Sequence, residues 1–77
     1  MEKETLIKIV ETQMPYGKYK GRWLDELPVS YLEWMKNKDA FPKGKYHMLL
    51  ETLYVIKING LDFLLKPLIN PERNYSK

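Results

Sequence analysis

Apolar and polar positions recur along this chain with two different periods, and the changes of period divide it into elements. From Glu4 to Thr12, Leu6 and Val10 stand four residues apart on one side while Glu4 and Lys8 stand four apart on the other, the spacing of a short amphipathic helix. Thr5, Ile7 and Ile9 also alternate as one face of a strand does, but the four-residue pairs favour the helix. Between Met14 and Leu24 the pattern shifts. Aromatic residues there flank Gly17 and Gly21, two positions able to take positive φ, so the segment reads as a β-hairpin bending around Tyr19-Lys20-Gly21. Pro15 is tolerated at the start of an edge strand. Two strands alone are unstable in water, so one face of such a hairpin has to pack on helices.

The helical period returns after Pro28, which suits a first helical turn, with Tyr31, Leu32, Trp34 and Met35. Lys36 and Lys38 then lie where cations complement the end of a helix dipole. Asp39 to Gly44 forms a loop. From Lys45 to Asn59 the stripe Tyr46, Leu49, Leu50, Leu53 and Ile56 predicts a core-facing helix of about four turns. Asn59-Gly60 is a left-handed cap signal, with Leu61 placed to fold back onto Ile56. Asp62 is expected to cap a last short turn of Phe63, Leu64 and Leu65, which Pro67 ends. The expected class is therefore α+β, mainly α: three helices packed with one short two-stranded β-hairpin. Residues 1–69 make a single small domain and 70–77 a flexible polar tail.

Composition narrows the chemistry. A chain of 77 residues with 44% hydrophobic and 13% aromatic content is a folded domain of marginal size, in a range where a staple or close packing is usually needed. It has no cysteine, which fits a reducing compartment and removes thiolate catalysis, disulfides and cysteine-based zinc sites. The start Met1-Glu2-Lys3-Glu4 is charged, and no apolar run reaches the ~18 residues of a membrane span. The expectation is a cytoplasmic protein without membrane partners. A net charge of +3 permits an anionic partner without demanding one.

Four phrases, in order, carry a resemblance: Met14-Pro15-Tyr16-Gly17-Lys18-Tyr19-Lys20-Gly21, Ser30-Tyr31-Leu32-Glu33-Trp34, Phe41-Pro42-Lys43-Gly44 and Ile56-Lys57-Ile58-Asn59-Gly60-Leu61. Over residues 13 to 68 the chain resembles a family of small bacterial proteins labelled "putative quorum-sensing-regulated virulence factor". The resemblance implies a fold and supplies no mechanism. The first phrase is also similar to a module attached to some bacterial exonucleases, which implies a nucleic-acid context without nuclease chemistry. Tyr16 stands where the family usually has Phe, and Tyr46-His47 replaces a smaller, less polar pair.

Catalysis needs a nucleophile, base or metal in a supported constellation, and this chain offers one His, no Cys and scattered carboxylates. Neither an enzyme nor a cofactor is expected. His47 lacks the second ligand a metal requires; Asp25, Glu26 and Glu33 read as helix-start and wet-face acids. One segment combines cations with aromatics and no acids: Lys18, Tyr19, Lys20 and Arg22, with Lys43 and Lys45 as an extension. Cations neutralise phosphates and aromatic rings stack on unpaired bases. The competing reading turns Tyr16 and Trp23 into the core and leaves the lysines to keep a short edge soluble. The expectation is a small non-enzymatic binding module, with single-stranded nucleic acid as partner. The alternative is a homodimer or another protein, held by the apolar excess of Tyr31, Trp34, Met35, Phe41, Leu64, Leu65, Leu68 and Ile69.

Overall fold

The computed structural model describes residues 2–73. Three α-helices stand in the segments with helical period: α1 (Lys3–Val10), α2 (Val29–Asn37) and α3 (Lys45–Ile58). Short 3-10 turns occupy Leu24–Glu26, Asp62–Leu64 and Lys66–Leu68. The central element is α3, which packs against both α1 and α2. Its Leu49, Leu50, Leu53 and Ile56 meet Ile9 and Val10 of α1, Leu32 and Met35 of α2, and Met14, Leu24, Leu27 and Leu65 from the connecting segments. Each such side chain, once fully buried, contributes roughly 1.5–3 kcal/mol. No helix among the described residues is long and apolar enough to cross a membrane.

The expected β-hairpin does not form, and with it the α+β class gives way to a mostly α domain. No strand occurs among the described residues; residues 13 to 23 make a loop pinched by one isolated antiparallel bridge, Gln13 to Trp23. The Met14 amide donates to the Arg22 carbonyl at 2.7 Å, Gly21 to Met14 at 2.9 Å and Leu24 to Thr12 at 3.0 Å. The reason is where the remaining donors go. Lys20 donates to Gly17 at 3.1 Å and Arg22 to Tyr19 at 2.9 Å, so two overlapping turns consume amides that a ladder would need, and Pro15 has none to give.

Both longer helices end in the same motif. At the end of α3 the Leu61 amide donates to Ile56 at 2.9 Å and Gly60 to Lys57 at 3.2 Å, the six-to-one and five-to-two pair of a Schellman cap. Gly60 takes φ 66°, and Leu61 packs against the core. At the end of α2 the Ala40 amide donates to Met35 at 2.8 Å and Asp39 to Lys36 at 3.2 Å, and Asp39 holds the left-handed position at φ 51°. Asp62 does not cap the following turn; its carboxylate accepts from Lys57 Nζ at 3.0 Å. Pro67 lies inside the last 3-10 turn and does not close the one before it.

Arg73 falls in the segment read from sequence as a flexible tail, yet its side chain is only 6% exposed. Nη1 donates to the Val10 carbonyl at 2.7 Å and to Asp25 Oδ1 at 2.8 Å, and Nη2 donates to Asp25 Oδ2 at 2.7 Å. The guanidinium also lies over the Trp23 ring, 4.8 Å from its centroid. The rest of that expected tail, residues 74–77, lies outside the described residues.

Candidate functional site

The loop that replaces the hairpin leans on α2, and a cleft opens between them. On α2, Leu32 and Met35 point into the core, which turns Tyr31 and Trp34, one helical turn apart, toward the loop side. Their rings lie nearly parallel, 6.0 Å between centroids and 16° between planes. Tyr19 meets the Tyr31 ring edge-on at 4.7 Å. Gly17, at φ 87°, brings the loop so close that a Cβ there would stand 3.1 Å from the Tyr31 hydroxyl. Any side chain would strain that backbone and crowd the phenol.

The cleft encloses about 490 Å³ and is lined by Tyr16, Gly17 and Lys18 from the loop, Tyr31, Trp34 and Met35 from α2, and Ala40 just after it. Tyr16 and Trp34 are each about half exposed, 50% and 52%. Lys18 is the one charged residue of the lining, and its ammonium sits 5.6 Å from the Tyr19 ring centroid. Burial first, then the neighbouring Tyr16 and Tyr19, pushes the Tyr31 hydroxyl above the ordinary phenol value of 10.0, so at neutral pH it stays protonated and able to donate.

The residues singled out from sequence are divided by the fold. Lys18 and Lys20 are exposed on the loop. Tyr19 is half-buried and packed on the core cluster and Tyr31, so it supports the cleft wall and is less exposed than Tyr16 or Trp34. Arg22 is half-buried, with Nε 3.6 Å from Glu26 Oε1; that carboxylate also accepts from the Trp23 amide at 3.2 Å. Lys43 and Lys45 are exposed before and at the start of α3, outside the cleft lining, and Lys45 lies 5.2 Å over the Tyr46 ring. Tyr16, placed in the core by the competing reading, faces solvent, whereas Trp23 is half-buried beneath Arg73.

Sequence reasoning kept Tyr16, Tyr31 and Trp34 out of the expected nucleic-acid site, with Tyr31 and Trp34 assigned instead to the apolar excess of the protein-partner alternative. The available signal was the spacing on α2: Leu32 and Met35 alone make an inward pair, which leaves Tyr31 and Trp34 to its flank. Elsewhere, the half-exposed His47 has Nδ1 3.4 Å from Glu51 Oε1 and its ring edge-on to Phe41. No group of three or more His, Asp or Glu able to hold a metal occurs among the described residues.

Comparison with known proteins places this geometry in a family context. Residues 2–68 match the family described as "Putative quorum-sensing-regulated virulence factor". Two curated relatives, each named "Uncharacterized protein YpeB", come from Escherichia coli strain K12 and Escherichia coli O157:H7. Each is 52% identical over 71 residues, covering 92% of this chain and 99% of the relative. No solved structure matches. The similarity to an exonuclease-attached module has no counterpart among these matches.

Proposed function

The chain belongs to the family described as "Putative quorum-sensing-regulated virulence factor", whose description records an association and not an activity, and we propose that its molecular task is non-enzymatic binding of single-stranded nucleic acid. The observation that supports this reading is the cleft: half-exposed aromatic rings, one lysine and no carboxylate in its lining. Lys20, exposed on the same loop, extends the positive edge along which a phosphate backbone runs. Compared with the sequence expectation, the stacking role moves from Tyr19 to Tyr16 and Trp34, and Arg22 drops out because Glu26 already faces it. A labelled oligothymidine strand titrated at rising salt tests the reading. Affinity is expected to fall steeply, and replacing Lys18 and Lys20 with Ala lowers the log–log slope by about 1.4, at ~0.7 per phosphate contact on a single strand. No binding at low salt overturns it.

A second reading, self-association, is favoured by the outer side of α3. Met48, Val55 and Ile58 are 55%, 42% and 47% exposed, while the opposite side of the helix is core. The apolar excess named from sequence does not supply this face: Met35 and Leu65 are buried, Tyr31, Phe41, Leu64, Leu68 and Ile69 are half-buried, and the exposed Trp34 lies on α2 in the cleft. Sedimentation across tens of micromolar, roughly the range in which modest interfaces populate dimers, shows a dimer if this reading holds, and Val55→Glu dissolves it. A monomer throughout rejects it.

A further inference from the structure

Resting on the nucleic-acid reading above, we infer that the cleft takes a single unpaired base, held against the Tyr16 and Trp34 rings with its phosphate at Lys18. Four observations converge on that occupant. Aromatic rings are ordinarily among the more buried side chains, yet two stand half-exposed at one opening. The opening, about 490 Å³, accommodates a planar heterocycle with its sugar. Its one charge is positive and it has no carboxylate, which turns away the ammonium cations that aromatic cages otherwise attract and leaves an anionic aromatic ligand as the complement. Finally, the hydroxyl of Tyr31, a residue of the cleft lining that a side chain at Gly17 would crowd at 3.1 Å, is a donor for the acceptors on a base edge. A paired base has its faces covered by its neighbours, so the same cleft discriminates single strand from duplex.

The test compares an intact oligothymidine strand with one of equal length carrying abasic sites, read by intrinsic tryptophan emission and by competition. The intact strand is expected to quench emission, and Trp34→Phe to remove most of that quenching while Trp23 remains. Trp34→Ala and Tyr16→Ala, at half-exposed positions outside the buried core and with folding checked by thermal unfolding, each weaken intact-strand binding about 5- to 150-fold, the range for a lost base stack. The abasic strand is weakened to the same degree, with an unchanged salt slope. If abasic and intact strands bind alike, base insertion is wrong and the phosphate reading stands. If neither binds at low salt, both fail. Quenching by a proline-rich peptide in the absence of strand binding makes the cleft a peptide groove and overturns the inference.

Discussion

Two residues in equivalent positions make the sharpest contrast in this chain. Gly60 and Asp39 both hold the left-handed position after a helix, at φ 66° and 51°. For glycine that conformation costs little; an L side chain pays sterically, and an acid also sits at the negative end of the helix dipole. Gly60→Ala is therefore expected to destabilise by about 1 kcal/mol, and Asp39→Gly to stabilise by about 0.5–1 kcal/mol. In a domain this small, thermal unfolding resolves either change as a shift of roughly 4–8 °C per kcal/mol. Asn59-Gly60 was legible as a cap because its residue types announce it; Asp39 was hidden, because aspartate reads equally as a loop residue. Tyr31 gives a prediction in pH. Its ionisation is raised above 10.0, so the unfolded chain releases this proton first, and the stabilisation present below pH 10 is lost as pH rises from there through the folded value. Tyr31→Phe removes that part of the alkaline decline, as measured by denaturant unfolding between neutral pH and alkali. Asp62 works in the opposite direction: the hydrogen bond from Lys57 leads the causes that lower its pKa, so its contribution is present above the ordinary carboxylate range and lost on acidification. With 45% of the side chain exposed, that contribution is small.

At the scale of elements, the helices were legible and the loop was not. The stripe on α3 is a property of one segment, and periodicity reads it directly: Leu49, Leu50, Leu53 and Ile56 are all buried. Whether residues 13–23 form a ladder depends instead on how backbone amides divide between local turns and cross-strand partners, which residue types do not encode. Glycines and aromatics serve both outcomes. Native-state hydrogen exchange distinguishes them. The amides of Met14, Lys20, Gly21, Arg22 and Leu24 are hydrogen-bonded in the loop and are expected to exchange slowly, whereas Lys18 exchanges fast. Protection of Lys18 together with rapid exchange at Lys20 and Arg22 indicates a regular hairpin. The candidate site was legible to the same limited degree: the lysines of the loop are local features, but the meeting of Tyr16 and Trp34 in one cleft lining is tertiary, set by how the loop leans on α2.

For the molecule as a whole, a small chain without cysteine needs something beyond its core, and the Asp25–Arg73 pair meets that description. Both side chains are nearly buried, at 9% and 6% exposed, and joined by two short bonds. Removing one partner of a buried pair costs about 3–5 kcal/mol because the other is left uncompensated. Arg73→Ala and truncation after Ile69 are both expected to lose an amount of that order, a large share of the total for a domain this size. Asp25→Leu combined with Arg73→Met is expected to cost less than the sum of its singles, which chemical denaturation of the four proteins measures. Sequence could not show this link, since the partners lie 48 residues apart and the arginine sits in a polar stretch after the matched residues 2–68. Its nature has a kinetic corollary. A disulfide tethers the chain even when unfolded, but this clasp dissolves with the fold and gives the search for the native state no head start. A contact spanning so much chain carries a high loop-closure cost and is expected to form after the rate-limiting step. Its loss therefore appears almost wholly as faster unfolding, roughly a hundredfold for 3 kcal/mol, with the refolding rate unmoved. On that expectation the clasp is a latch on the exit, lengthening the lifetime of the native state without hastening its arrival, and stopped-flow unfolding and refolding of Arg73→Ala check it.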